Sequence, residues 1–137
     1  MYVKGKIVDK MYARCILAAK VFLKERGYTV LGVTRTDDQL KSVVFVDNDT
    51  LVLAPVSFIL GIDDGFPEDE IVNDNTHSFY TGRLSEWIDD HQKYASYALR
   101  IDTITLAIIA SQNAMVKHHI GVYFPSACTK NTSASCG

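Results

Sequence analysis

The acidic residues of this sequence are concentrated in one segment, residues 61–76, which reads GIDDGFPEDEIVNDNT. Carboxylate oxygens are the ligands that calcium and magnesium prefer, so this segment is the first candidate for a metal site. Its spacing lacks the D-x-D-x-D-G pattern and the distant glutamate of an EF-hand loop. Acidic runs usually face water, so the sequence favours a solvated loop over an ion site.

A second group of candidates lies in the segments RIDTITLAIIA and KHHIGVYF. Asp102 stands in an apolar strand, where a carboxylate needs a partner. Arg100 is two residues away and therefore on the same face of the strand, which predicts a structural ion pair. His118 and His119 are adjacent, so a strand points them to opposite faces and they are not expected to chelate one ion. We therefore interpret them as surface or hydrogen-bonded histidines.

Motifs for nucleophilic chemistry or phosphate binding are missing from the sequence. It contains no G-x-S-x-G nucleophile elbow and no glycine-rich phosphate loop. The three cysteines, Cys15, Cys128 and Cys136, lack the C-x-x-C or histidine spacing of a zinc site. Cys15 falls in a predicted helix, where a thiol usually serves packing. These features predict reduced thiols and a cytoplasmic protein.

The composition is that of an ordinary globular domain. The 137 residues are 47% hydrophobic and 22% charged, which is enough to bury a core and argues against global disorder. A formal charge of −2 gives no overall attraction to nucleic acid or to an anionic membrane. The longest apolar runs are too short to span a bilayer, and no secretory signal is visible. We therefore expect no membrane partner.

The spacing of apolar residues predicts a helix, a strand and a hairpin in the first half of the chain. Residues 11–26 have helical periodicity, and Gly27 follows as a C-cap glycine. The segment YTVLGV predicts a short strand of β-branched and aromatic residues. The segment SVVFVDNDTLVLAPV predicts a hairpin that turns at residues 47–49.

The second half of the chain predicts one more helix, over residues 84–99, followed by two strands over residues 100–110 and 114–124. We expect residues 1–125 to form one domain and residues 126–137 to form a mobile polar tail. The order α-β-β-β-α-β-β predicts an α/β sandwich, in which helices flank a mixed central sheet.

Five segments of the chain, taken in order, resemble the YraN-like family of predicted endonucleases. LAAKVFLKERGYTVL resembles the family's opening helix and strand, and DNDTLVLAPV resembles its hairpin, which usually reads D-G-D-T-L-V-F-V-E-V-K. GFPEDEIV, RIDTITLAI and KHHIGVYF are similar to its connecting loop, its R-F-D-V-V-A-V strand and its closing I-E-H-I-x-N-A-F. The resemblance covers residues 12–124 and implies a restriction-endonuclease-like fold.

The resemblance also implies where a magnesium site would lie. In the family, carboxylates from the first helix, the strand before the hairpin turn and the E-V-K segment hold the metal, and the lysine assists the nucleophile. The four corresponding positions in this sequence are Ile16, Ser42, Pro55 and Ser57. These degenerate motif positions offer no carboxylate and no lysine, so the resemblance implies a lost catalytic site. Pro55 also lacks a backbone donor, which predicts a bulge or a local edge.

Three hypotheses about function follow. The first is a non-catalytic relative of these nucleases that serves as a binding or scaffold protein, with no metal or cofactor, an unknown partner and a possible homo-oligomeric state. The second is a divergent magnesium-dependent DNA endonuclease whose carboxylates have relocated to Asp38, Asp47 or Asp102. The third is a nucleic-acid binder without cleavage, which the charge does not favour. Its basic face would include Lys20, Lys24, Arg26, Arg35, Lys41 and Arg83.

Overall fold

A long helix opens the described part of the chain. The computed structural model describes the backbone of residues 2–36, 40–60, 74–110, 113–121 and 123–124, and the side chains of residues 10–36, 40–59, 78–108 and 114–121. Helix α1 (Tyr2–Glu25) begins well before the predicted residue 11. It ends at Gly27, whose φ is 91°, and the N–H of Tyr28 donates to the carbonyl of Leu23 over 3.0 Å. The predicted helix and its C-cap glycine are confirmed.

The next three strands form an antiparallel meander. They are β1 (Thr29–Arg35), β2 (Lys41–Asp47) and β3 (Thr50–Leu60). The hairpin between β2 and β3 turns at Asn48, whose φ of 56° is left-handed, a conformation that asparagine tolerates better than most residues. The predicted first strand and hairpin are confirmed.

The second helix lies earlier in the chain than the sequence predicts. Helix α2 spans Asp74–Asp89, and a short 3₁₀ turn (Gln92–Tyr94) follows it. The predicted helix over residues 84–99 is therefore wrong at both ends. Tyr94 and Leu99 pack in the same apolar cluster as the helix, so their apolar character extends the helical pattern past the point where the helix stops. The start of α2 also shortens the predicted acidic loop, of which residues 61–73 lie outside the described residues.

Four further strands complete the sheet. They are β4 (Ala98–Ile101), β5 (Thr103–Ala110), β6 (Asn113–His119) and β7 (Tyr123–Phe124). Strand β3 pairs in parallel first with β4 and then with β5, while β7 and β6 pair antiparallel with β4 and β5 respectively. The described strands form one mixed seven-stranded sheet, and each of the two strands predicted for this region is divided into two. The predicted tail, residues 126–137, lies outside the described residues.

Two apolar clusters cover opposite faces of the sheet. The cluster between α1 and the sheet contains Cys15, Ile16, Ala19, Leu23, Val43, Phe45, Val52, Ala54, Val56, Ile104 and Leu106. The cluster between α2 and the sheet contains Val44, Leu51, Leu53, Leu84, Ile88, Tyr94, Leu99 and Ile101. Successive residues of β3 alternate between the two clusters, so we name the two sides of the sheet the α1 face and the α2 face. The prediction of an α/β protein with a mixed sheet flanked by two helices is confirmed.

Pro55 lies in a central strand without the bulge that the sequence offered as one alternative, but at a local break in the pairing on one side. The pairing of β2 with β3 runs past it without a register shift. On its other side, β3 pairs with β4 as far as Leu53 and with β5 from Val56 onward. The carbonyl of Leu53 accepts a hydrogen bond from the N–H of Asp102 over 3.0 Å, so the backbone groups of Leu53, and by alternation those of Pro55, point to this side. The donor that proline lacks therefore falls at the break between β4 and β5.

Candidate functional site

The sheet separates the four degenerate motif positions. Ser42 and Pro55 are cross-strand partners in β2 and β3, and Ser57 follows on the same α2 face. Ile16 is buried in the cluster on the α1 face, with the sheet between it and the other three. The structure therefore brings three of the four positions together and leaves the fourth on the opposite side.

The two serines of this group make hydrogen bonds to neighbouring threonines. Thr36 donates its hydroxyl hydrogen to the carbonyl of Leu40 over 3.1 Å, so Ser42 is the donor in its 3.1 Å contact with the Thr36 hydroxyl. The hydroxyls of Ser57 and Thr105 lie 3.3 Å apart. Among the described side chains, no three His, Cys, Asp or Glu residues are grouped so that they could hold a metal ion. Asp38, a candidate for a relocated ligand, lies outside the described residues.

The charged cluster of the described residues lies on the α1 face and is centred on Arg100. Its guanidinium donates two parallel hydrogen bonds to Asp102, from Nε to Oδ1 over 2.8 Å and from Nη2 to Oδ2 over 2.9 Å. Nη1 donates to Oδ2 of Asp47 over 2.9 Å. The side chains of Arg100 and Asp102 are 1% and 0% exposed, so the bidentate geometry compensates two charges removed from water. The ion pair predicted from the spacing of Arg100 and Asp102 is confirmed.

Asp102 accepts two further hydrogen bonds. Nε2 of His118 lies 2.7 Å from Oδ2 of Asp102, and the backbone N–H of Gly121 donates to Oδ1 over 2.9 Å. An ionised carboxylate only accepts, so Nε2 of His118 carries the proton in this contact. Phe22, Tyr28 and Phe45 pack their rings in T-shaped contacts with the imidazole, with centroids 5.9–6.2 Å away. His118 is thus a hydrogen-bonded histidine in an aromatic surround, as one of the predicted alternatives stated.

The position of Asp102 in the sheet explains why this carboxylate is buried. Asp102 is the one residue between β4 and β5, while Gly121 lies between β6 and β7. Strand β6 pairs with β5 and strand β7 pairs with β4, so the break at Asp102 lies beside the break at Gly121. The hydrogen bond from the N–H of Gly121 to the Asp102 carboxylate connects the two breaks. The sequence shows the arginine and the aspartate, but the partners His118, Gly121 and Asp47 depend on strand register and were not predicted as partners.

The local environment keeps Asp102 ionised. Desolvation by burial on its own would raise the pKa of this carboxyl group, but the hydrogen bonds from His118, Arg100 and Gly121 and the charge of Arg100 outweigh it, so the pKa lies below its ordinary value. The carboxylate is also fully engaged by these donors. Asp47 and Asp102 converge on the guanidinium of Arg100. They meet on the α1 face, whereas the hypothesis of relocated ligands requires carboxylates near Ser42 and Pro55, which lie on the α2 face.

The lowered pKa of Asp102 predicts a loss of stability in acid. The unfolded chain binds the proton more readily than the folded protein, so the contribution of Asp102 is complete above the ordinary aspartate pKa of about 3.9 and is lost as the pH falls toward the folded value. We expect the free energy of unfolding, measured with urea, to fall from about pH 5 downward. The Asp102→Asn variant should show a shallower fall, and a slope equal to that of the parent protein would contradict this assignment.

Five of the six cations predicted for a basic face belong to α1, to its end or to the α1 face of the sheet. Three belong to α1 or its end, namely Lys20, Lys24 and Arg26. Arg83 lies on α2, on the opposite face of the sheet, where its guanidinium donates to Glu86 over 3.2 Å. The other two, Arg35 and Lys41, are cross-strand partners in β1 and β2. Nucleic-acid binding without cleavage therefore stays a prediction from the sequence.

Comparisons with known proteins give no further identification. The chain matches no protein-family model, and no curated protein matches it. Within the described residues, no helix has both the length and the apolar character needed to cross a membrane. The class that the fold defines is a mixed α/β sheet protein with two flanking helices, and the YraN-like resemblance stays a prediction from the sequence.

Proposed function

We propose that this protein is a non-catalytic relative of the YraN-like nucleases, in which a restriction-endonuclease-like fold serves as a binding or scaffold protein. The order of elements supports the proposal. A helix, an antiparallel meander, a second helix and a strand parallel to β3 follow one another, with the helices on opposite faces of a mixed sheet. This is the order that the resemblance implies for the family.

The observation that carries the proposal is the cross-strand pair of Ser42 and Pro55, followed on the same face by Ser57. The resemblance assigns carboxylates to the first two positions and a lysine to the third. A hydroxyl is a weak ligand for a hard dication and proline offers no side-chain ligand at all, so these positions do not hold magnesium in a catalytic geometry. The α1 face does not replace them, because Arg100 binds both Asp47 and Asp102 there.

A cleavage assay with the purified full chain tests this function. We expect no cutting of duplex, single-stranded or branched DNA in magnesium or manganese, and no difference when EDTA is added. Calorimetric titration of the protein with manganese should show no saturable heat of binding. An active metal-dependent nuclease run in parallel confirms that the substrates and buffers are sound.

Cleavage that EDTA abolishes would overturn the proposal. A variant of Asp47 would then distinguish a relocated site in this protein from a contaminating nuclease. Asp47 is suited to this test because its carboxylate is partly exposed at the edge of the Arg100 cluster. If Asp47→Asn lowers the rate while the exposed-turn variant Asp49→Asn does not, the protein is a divergent nuclease with relocated carboxylates.

A further inference from the structure

We infer that the outward side of α1 binds the surface of an anionic lipid bilayer. The side chains that make this surface form a line, which we call the outer stripe: Lys10, Arg14, Leu17, Val21 and Lys24. The inference goes beyond the proposed function, because the outer stripe lies on the other side of the sheet from Ser42, Pro55 and Ser57.

The outer stripe follows one side of the helix. Its residues are three or four positions apart, a spacing that places side chains in a line along a helix. All five are exposed, with Leu17 at 60% and Val21 at 45%. On the opposite side of α1, Cys15, Ala19 and Leu23 are buried against the sheet. The outer stripe therefore presents two aliphatic side chains about one turn apart, with cations at both ends.

The charge of α1 differs in sign from the charge of the whole chain. The overall charge of −2 predicts no attraction to an anionic membrane. Within residues 10–26, however, the only carboxylate is that of Glu25, whereas the cations are Lys10, Arg14, Lys20, Lys24 and Arg26. Residues 2–9 add Lys4, Lys6 and Asp9 to the helix. The helix is thus a positive segment on a weakly acidic protein.

The other described carboxylates lie away from the outer stripe. They are Asp47, Asp49, Glu86, Asp89, Asp90 and Asp102. Those of the strands bind Arg100 in the sheet beneath the helix, and Asp49 lies in the hairpin turn. The remaining three belong to α2 or follow it directly, on the opposite face of the sheet. Within the described residues, Lys10, Lys20 and Lys24 form no ion pair.

The two arginines of this segment have contacts within the chain. The guanidinium of Arg26 lies over the ring of Phe22, 4.7 Å from its centroid, and Arg14 also has a further contact. A cation–π contact keeps the positive charge in place. We therefore assign the contacts with lipid headgroups to Lys10 and Lys24 of the outer stripe and to Lys20 beside it.

A lipid surface suits the outer stripe better than a nucleic acid or a peptide does. Phosphates of a nucleic acid would attract the lysines but leave Leu17 and Val21 in water. At a bilayer, the two aliphatic side chains enter the boundary between headgroups and acyl chains, while the lysines reach the anionic headgroups on their flexible stems. The outward side of a single helix is convex, so it offers no groove that could enclose a peptide.

Sedimentation of the purified full chain with lipid vesicles tests this inference. We expect binding to vesicles of equal parts phosphatidylcholine and phosphatidylserine in low salt, and no binding to vesicles of phosphatidylcholine alone. Lys24→Gln should weaken binding about fivefold, because one cation near the anionic surface is lost. Leu17→Gln should also weaken it about fivefold or more, because an aliphatic side chain no longer leaves water.

Two further variants are matched controls. Lys93→Gln removes the same charge from an exposed residue of the 3₁₀ turn after α2, and Met115→Gln removes an exposed apolar side chain from β6. Neither should change vesicle binding. Circular dichroism confirms that all four variants are folded, so a loss confined to Lys24→Gln and Leu17→Gln assigns binding to the outer stripe.

Absence of binding to the anionic vesicles, or equal losses in the stripe variants and their controls, would overturn the inference. Tighter binding of duplex DNA than of these vesicles, weakened by Lys24→Gln but not by Leu17→Gln, would also overturn it and assign the outer stripe to nucleic acid. Each of these results would leave the proposed function standing, because that function fails only if metal-dependent cleavage is observed.

Discussion

Replacing Asp102 with asparagine should lower the free energy of unfolding by about 3 kcal/mol, a cost typical of breaking a buried ion pair by removing one partner. The carboxylate is fully buried and accepts two hydrogen bonds from Arg100, one from His118 and one from the backbone of Gly121. Asparagine has the same shape, but it removes the charge and turns one acceptor atom into a donor that faces other donors. Arg100 would then lose the carboxylate of Asp102 and keep its hydrogen bond to Asp47. Urea unfolding at neutral pH measures the difference.

The same substitution at Asp49 provides the control. Asp49 lies in the exposed turn of the β2–β3 hairpin, so Asp49→Asn should change the free energy of unfolding by no more than about 0.5 kcal/mol. Similar values for the two variants would show that the Arg100–Asp102 pair contributes little to the stability of the sheet. A loss confined to Asp102→Asn would assign the effect to the buried cluster.

Replacing Gly121 with alanine should lower the free energy of unfolding by about 3 kcal/mol, since overpacking against backbone adds to the loss of a hydrogen bond to a charged group. A Cβ atom at this position would overlap the backbone carbonyl of Ile101, and backbone cannot give way as a flexible side chain can. Gly121 is not left-handed, so the requirement for glycine is steric. The displacement would also lengthen the hydrogen bond from the N–H of Gly121 to Asp102.

Gly82 offers a control in which the same change has the opposite sign. It is an exposed residue in the middle of α2, and a Cβ atom there would meet nothing within 4 Å. Gly82→Ala should therefore raise the free energy of unfolding by about 1 kcal/mol, because alanine favours the helix. A comparison of the two variants by urea unfolding separates close packing from helix propensity. Equal effects at both positions would contradict the close approach of Gly121 to Ile101.

Local interactions are the part of this structure that the sequence determines by itself. The end of α1 at Gly27 follows from a glycine able to adopt a positive φ, and the hairpin turn at Asn48 has the same origin. The Arg100–Asp102 pair also depends only on the two-residue period of a strand. Each of these features involves residues that are close in the chain, so the residue types alone are sufficient to predict them.

The bounds of α2 and the place of Pro55 show where local patterns are not sufficient. Apolar residues of the 3₁₀ turn and of β4 join the cluster under α2, so their spacing resembles a continuation of the helix. Pro55 tolerates a central strand because the neighbour of β3 changes from β4 to β5 at that level. The sequence around Pro55 does not show that the neighbouring strand is divided into β4 and β5. The sequence of residues 84–99 likewise does not show that helix, 3₁₀ turn and strand share one apolar cluster.

Only the tertiary structure decided which side chains meet across the sheet. The register of β5 with β6 brings His118 to the face that carries Asp102 and leaves Lys117 in a row with Thr105 on the other. A shift of one residue in that register would exchange the two faces. The hydrogen bond from Arg100 to Asp47 likewise joins residues distant in the chain. Strand pairing between distant segments is set by the packing of the whole sheet, which is why residue types and spacing did not predict it.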